Sequence, residues 1–511
     1  MDDSKDTSPK AFVKRQWQTV PASTDSEPEA PALRFTIMTY NVMAPSLGKH
    51  SWLPNSTPRN LNGKTRRNRI IGEINHHRPD IICLQEVDDE KDFKPFYRPR
   101  LRKLHYRYRH KQPRVKNHGC CIAWDMRKWR LLDFESVVFN VHSHTQGIVE
   151  WYLTETGQAL EDLSIDPAHT LMVDDLNQMW SSHNVNIATF AVLHHVGAAD
   201  QAWFEYRDAR NELLKQQRAV QRLMRRAKRD GLEEDPKLVA SNEKLAILAG
   251  SRMPQPDQNF ESIIVITCHL LWSPNAHFER LIQVMLVLRR VCHYNRNLRL
   301  PVVFAGDFNA APIDPLYKGM VNQPLDATDC DVLLCSMEDY VQARFSHRYW
   351  GVPLPDSLFY YIPEQARKKY VAALIDQLKG AIRFNSAYNQ PGLHPPPLDG
   401  EPTEHDEPPY TTYCQFVGTL DYIFYTADPQ SIVAESPLAA KFPGRNRIIL
   451  NRPVGDMDTE PLAPVDPWWK QCRPTKILEI PAPSTLEPGI PNARFGSDHL
   501  CLLTELKITH A

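Results

Sequence analysis

The sequence predicts a protein of the α/β class, built as one core with insertions. Three observations predict it. Apolar runs of strand length alternate with segments of helical periodicity, nearly every run ends in a loop opening on Asn, Glu, His or Asp, and there is no internal repeat. LRFTIMTYNV, beginning at Leu33, reads as a strand, its β-branched and aromatic residues suiting a pleated surface. IIGEINHHRPDIICLQEV reads as a helix and then a strand, and CCIAW as another strand. HNVNIATFAVL and ESIIVITCHLLW are further strands, with a long charged segment between them. HFERLIQVMLVLRRV places Leu281, Met285 and Leu288 on one side of a helix. PVVFAGDF is a compact apolar strand running straight into a polar loop, and FVGTLDYIFYT and HLCLLTELKI complete the alternation.

Bulk properties narrow the class. At 511 residues the chain exceeds what one ordinary core needs, so length alone allows one enlarged domain or two domains. Residues 1–33, rich in Pro, Ser and Glu, read as a disordered tail, leaving 34–511 as a single domain. Insertions at about 198–258, 319–405 and 427–475 interrupt it, none with an apolar set large enough to fold alone. The second includes a helix in PEQARKKYVAALIDQLKGAI. The 60 Lys and Arg balance 61 Asp and Glu, so any polyanion must be held by a local basic patch. In the basic stretch 211–229, Lys215, Arg218, Arg222, Arg225 and Arg229 share one helical face. A solvated surface explains that stripe more simply than a track for phosphates. Ten scattered cysteines without a CxxC pair read as small core residues in a reducing compartment. The start is polar and acidic, and no run approaches about 18 apolar residues. The expectation is a cytoplasmic or nuclear protein with no membrane segment.

The chemistry is carried by polar residues at the ends of apolar strands. Asn41 follows FTIMTY, Glu86 follows DIICLQ, and His269 follows SIIVITC. Asp307 and Asn309 follow PVVFAG, Asp421 precedes YIFY, and Asp498 and His499 precede LCLL. Taken singly, each has an ordinary reading: Glu86 as a solvated strand end, Asn41 as a turn residue, His269 as a satisfied core histidine. Together they imply more. A buried carboxylate is costly until a cation, a proton or a metal relieves it, so acids, amides and imidazoles placed alike suggest one shared site. Oxygen ligands with few sulfurs favour Mg²⁺, or Mn²⁺, over zinc. GDFNAAP is the most specific signal, because turn chemistry alone does not require Gly-Asp-x-Asn after an apolar strand.

TYNVMA, CLQEV, CHLLWSP, AGDFNAAP, GTLDYIFY and RFGSDHL stand in the order, and at about the intervals, of the endonuclease/exonuclease/phosphatase superfamily. Within it the chain resembles the deadenylase and nocturnin branch, and through KNHGCCIAW it looks most like the fungal Ngl-type RNA exonucleases. The resemblance implies a DNase I-like fold, a four-layer αββα sandwich. It also implies a Mg²⁺-dependent 3′→5′ exoribonuclease acting on RNA 3′ ends, either poly(A) tails or structural RNA precursors, and releasing 5′-nucleotides. Glu86 would be the principal metal ligand, with Asn41 beside it holding metal or phosphate. Asp307 and Asn309 would handle the attacking water, His269 would pair with Asp421, and His499, oriented by Asp498, would contact the phosphate. Pro274 and Phe416 would hold the terminal base. Thr412 and His118 stand where deadenylases commonly carry Asn and Asp, which loosens the implied preference for adenine. Two alternatives accompany this reading: a nocturnin-like phosphatase acting on a small phosphorylated dinucleotide, and an inactive RNA-binding scaffold. The scaffold would have lost part of the set, and every member is present. The sequence points to no protein partner.

Overall fold

In the computed structural model, residues 13–21, 32–113, 116–139, 186–196, 261–295, 298–345, 364–397, 400, 405–432 and 468–510 are described. The chain divides into two compact units, one of residues 1–126, 131–193 and 262–511, the other of 127–130 and 194–261. All the candidate site residues belong to the first unit.

The described strands are β1 Trp17–Thr19, β2 Ala32–Asn41, β3 Ile81–Asp88, β4 Tyr106–Lys111, β5 His118–Asp125, β6 Trp129–Val138, β7 Ile187–His195 and β8 Ser262–Cys268. They continue as β9 Val302–Asp307, β10 Asn385–Ser386, β11 Thr412–Tyr413, β12 Val417–Gly418, β13 Asp421–Tyr425, β14 Trp469–Leu478 and β15 Leu502–His510. Seven form one sheet, in the order β1-β14-β15-β2-β3-β5-β4, and six form a second, β10-β13-β9-β8-β7-β6. Both sheets are mixed: β2 runs parallel to β3 and β8 to β9, while β15 is antiparallel to β2 and β13 to β9.

Helix α1 (Gly63–His77) begins where the Asn62 side chain accepts the backbone N–H groups of Lys64 and Thr65, and ends at Arg78 with φ 48°. It buries Ile70 and Ile74 against Met38, Tyr40, Ile82 and Leu84 of the first sheet. The other face of that sheet meets the second sheet, with β2 and β3 packed against β9 and β8. Gln85 Nε2 crosses the seam to donate to Thr267 Oγ1 at 2.9 Å. Helix α2 (His277–Asn295) buries Leu281, Met285 and Leu288, as its periodicity requires. Helix α3 (Ala327–Phe345) packs on α2 and on α4 (Glu364–Lys379). The result is an α/β sandwich: two mixed sheets face to face, with helices on the outside. Seven of the ten cysteines are buried, and all ten are free thiols.

Two stretches differ from expectation. Part of the supposed tail is built into the first sheet: Trp17 of β1 lies opposite Leu478, and the buried Arg15 donates to the Cys501 carbonyl at 2.8 Å. A three-residue strand is too short for periodicity to register, and its partner lies at the other end of the chain. Likewise β14 starts at Trp469, inside the stretch expected to be irregular as far as residue 475. Pro474 suggested irregularity, and it does sit at a register shift, where a strand tolerates a missing donor. The basic stretch 211–229 lies outside the described residues. Among the described residues no helix is long and apolar enough to cross a membrane.

Candidate active site

The site assembles where strand ends from both sheets converge. Because β13 is antiparallel to β9, its first residue, Asp421, lies directly opposite the last residue of β9, Asp307. On the other side of β9, His269 forms the next bridge to Asp307, just beyond the end of β8. Gly306 allows that approach: a Cβ there would stand 2.4 Å from the Cys268 carbonyl oxygen. In the first sheet, parallel pairing of β2 with β3 sets Asn41 beside Gln85, at the same end as Glu86. Glu86 occupies a register irregularity of β3 with φ 59°, a left-handed conformation costly for a side chain with a Cβ. Two donors hold it there: Ala44 N to Oε2 at 2.8 Å and Asn41 Nδ2 to Oε1 at 3.0 Å.

Asn41 is the link between the sheets. Its Nδ2 also donates to Asp307 Oδ2 at 2.9 Å, and its Oδ1 accepts from Met43 N at 3.0 Å. It therefore presents donors to two carboxylates. Asn309 is fixed by its own N–H to Asp307 Oδ1 (3.0 Å) and by Nδ2 to the Leu270 carbonyl (3.1 Å).

The histidine–aspartate pairing is exchanged relative to expectation. Asp421 Oδ2 accepts from Thr411 Oγ1 at 2.7 Å and pairs with His499 Nδ1 at 2.8 Å, leaving His499 Nε2 3.8 Å from Asp307 Oδ2. His269 instead faces Glu86 and Asp307, with Nε2 3.8 and 3.7 Å from their oxygens. His499 bridges to Thr412, next to the Thr411 whose hydroxyl holds Asp421, so its ring falls on the Asp421 side. Asp498 Oδ1 lies 3.2 Å from Ser497 Oγ, and the Asp498 carbonyl accepts from Thr412 Oγ1 at 2.8 Å.

Three supporting residues escaped the sequence reading. Thr411 orients Asp421. Ser497 Oγ donates to the Asn41 carbonyl at 2.6 Å, tying the SDH turn to β2. The buried Arg66 of α1 donates to the carbonyls of Met43 (2.8 Å) and Gly496 (3.3 Å), clamping the same two loops. Ser497 was visible in the GSDH motif; nothing in the sequence pattern marks Arg66.

Charge is unbalanced here. Glu86, Asp307 and Asp421 are all buried. Burial, reinforced by the charge of Asp421, raises the pKa of Asp307. Burial works against protonation of His499, but Asp421 and Asp307 outweigh it and hold that imidazole well above its usual range. Burial takes His269 down to about 4, so it stays neutral. Asp421 Oδ1 is buried without a partner among the described residues, and donor atoms of Asp307, Asp421 and His499 lie within 4.8 Å of one another. A surplus of hard oxygen donors with an orphaned carboxylate oxygen fits a divalent cation.

Residues 38–499 match the model of the Endonuclease/Exonuclease/phosphatase family. The chain belongs to that family. A protein described as probable RNA exonuclease NGL3 of Saccharomyces cerevisiae is 23% identical over 82% of this chain and 70% of its own length. One described as probable RNA exonuclease C9B6.11c of Schizosaccharomyces pombe is 20% identical over 97% and 80%. The solved structure of ANGEL2, described as a 2′,3′-cyclic phosphatase, superposes with TM-score 0.51 at 18% identity, covering 98% of this chain and 99% of that one. The chain is thus a hydrolytic nuclease or phosphatase of the endonuclease/exonuclease/phosphatase family.

The two expected base-binding residues are exposed on loops that leave the site. Pro274 follows His269 by one short loop, and its carbonyl is held by Arg280 Nη2 at 3.0 Å. Phe416 is 50% exposed at the tip of the β11–β12 hairpin, whose first strand bridges to His499 at Thr412.

Proposed function

We propose that the protein is a Mg²⁺-dependent exoribonuclease that removes 5′-nucleotides from RNA 3′ ends. The observation that carries the reading is the buried constellation of Glu86, Asp307, Asp421 and His499, joined through Asn41, in which three carboxylates face one imidazolium. Glu86 would hold the metal, and Asn41 keeps Glu86 and Asp307 together. Bound there, a divalent ion supplies charge neutralisation at the phosphate and a lowered pKa for water.

The remaining work falls to the chain's own groups. Asp307, steadied by Asn41 and the Asn309 N–H, accepts the proton of the attacking water. His499, kept protonated by Asp421, directs Nε2 toward a phosphate oxygen and stabilises charge as it develops there. His269, neutral, offers a hydrogen bond to the same phosphate from the opposite side. Pro274 and Phe416 flank the terminal base; stacking of this kind contributes about 1–3 kcal/mol and discriminates weakly among bases. The choice of RNA rests on the descriptions of the yeast relatives.

A 5′-labelled RNA ending in twenty adenylates, with Mg²⁺, with EDTA and with Glu86→Ala, tests the reading. A metal-dependent ladder shortening from the 3′ end, lost in the variant, is expected. Intact RNA under every divalent metal sinks it and turns attention to phosphate release from small nucleotides.

A further inference from the structure

Beside the site, on the Glu86 and His269 side, lies a small pocket lined in part by Lys116, His118, Asn186 and His269. It owes its shape to Gly119: a Cβ there would meet the Lys111 carbonyl oxygen at 2.0 Å, so only glycine lets the chain after β4 fold tightly over the start of β5. His269 is shared between pocket and site, and the His118 ring lies 6.4 Å from it, centroid to centroid.

The pocket's ammonium lacks a contacting counter-charge among the described residues. Lys116 is half-buried, and its ammonium donates only to the neutral amide oxygen of Asn186. No carboxylate comes within ion-pair distance of it among the described residues. The His118 ring has no hydrogen-bond partner among the described residues either. The nearest acid of the site, Glu86, is already engaged by Ala44 and Asn41. Desolvating an ammonium without a counter-charge is costly, and the cost is recovered when an anion arrives from outside. In a cleft built to hold one phosphate, the anion that reaches this distance is the next phosphate of the same substrate.

We infer that Lys116 and His118 form a second phosphate subsite, which takes a phosphate group of the substrate adjacent to the scissile one. The inference rests on the phosphodiesterase reading. The group is either a neighbouring diester of the backbone or a monoester at the chain end. Lys116 supplies the charge, His118 a hydrogen bond, and Asn186 keeps the ammonium aimed.

The test measures binding apart from turnover. Fluorescence anisotropy of a 5′-labelled oligoribonucleotide, with a 3′-hydroxyl or a 3′-phosphate, would be followed on the Asp307→Asn protein in Mg²⁺. Lys116→Met, Lys116→Arg and His118→Ala would then be added in that background. Lys116→Met should weaken binding about tenfold, the loss of one charge-assisted contact, and Lys116→Arg should restore most of it. If both oligonucleotides weaken equally, the subsite takes the backbone diester. If only the 3′-phosphorylated one weakens, it takes the terminal monoester. Unchanged affinity of folded Lys116→Met and His118→Ala for both overturns the subsite while leaving the nuclease reading intact. Failure of the Asp307→Asn parent to bind either RNA, with no hydrolysis by the native protein, removes both.

Discussion

Asp307 and Asp314 stand at the two ends of one loop, both buried, and the fold treats them in opposite ways. Burial raises Asp314, but the hydrogen bond from His277 (2.7 Å) and the charge of Arg280 (2.9 Å) more than reverse it, and its pKa is lowered. Asp314 also caps the helix Pro315–Met320 by accepting from Leu316 N at 2.8 Å. Asp307 faces the His499 imidazolium only at 3.8 Å, and that charge offsets in part the rise that burial and Asp421 impose. Glu407 shows a third outcome. Burial pushes it up to about 7, offset only in part by the hydroxyls of Ser386 and Tyr317, so a proton relieves it. Three buried carboxyls are thus relieved by an internal cation, by a proton, or by something the chain does not contain. Only the last kind marks a site.

The largest effect should separate Asp307 from Asp314 outright. Asp307→Asn is expected to lower kcat at least about 10³-fold on RNA, because a group acting in the transition state is removed. Its melting temperature in EDTA should hold or rise, since carboxylate repulsion is relieved. Asp314→Ala should do the reverse, costing about 3–5 kcal/mol in urea unfolding by stranding buried Arg280 while the folded fraction still turns over. Matching stability losses in both variants would mean that Asp307 is an ordinary structural acid.

The site side of this contrast was legible in the sequence, and the reason is geometric. The acids sit directly at strand ends, and strands of this length are readable from composition, so PVVFAGDFN located Asp307 and Asn309 without a structure. Pairing was not legible. Whether Asp421 meets His269 or His499 depends on which face of an extended segment each residue takes, and β13 and the SDH turn meet only through the Thr412 bridge. The irregularity that turns Glu86 inward leaves no periodic trace either. Nor do β1 and Arg15, whose partners lie at the far end of the chain.

Metal binding sharpens the comparison at smaller scale. Mg²⁺ at a hundred times its dissociation constant should stabilise the protein by about 2.7 kcal/mol, the mass-action value. Asp314→Ala, though weakened, should keep that increment; Glu86→Ala and Asp307→Asn should lose most of it. An increment that survives in Glu86→Ala would place the ion elsewhere.

The smallest effect belongs to Glu407, and its sign follows from the direction of the shift. Its folded-state pKa, about 7, lies above the unfolded value near 4.3, so between these pH values the folded chain binds more protons than the unfolded one. Its contribution is therefore fully present below about pH 4 and is lost as pH rises toward 7 and past it. Glu407→Gln carries a permanently neutral amide into the same place, beside the Tyr317 hydroxyl that donates to Oε1 at 2.8 Å. Across urea unfolding at pH 5 and pH 8, the native protein should lose about 2 kcal/mol more than the variant. Equal pH slopes in the two would show that Glu407 is ionised in the folded state, with a counter-charge relieving it as Arg280 relieves Asp314. Turnover per folded molecule should be the same in both, because Glu407 touches no residue of the site and its charge is settled before any substrate arrives.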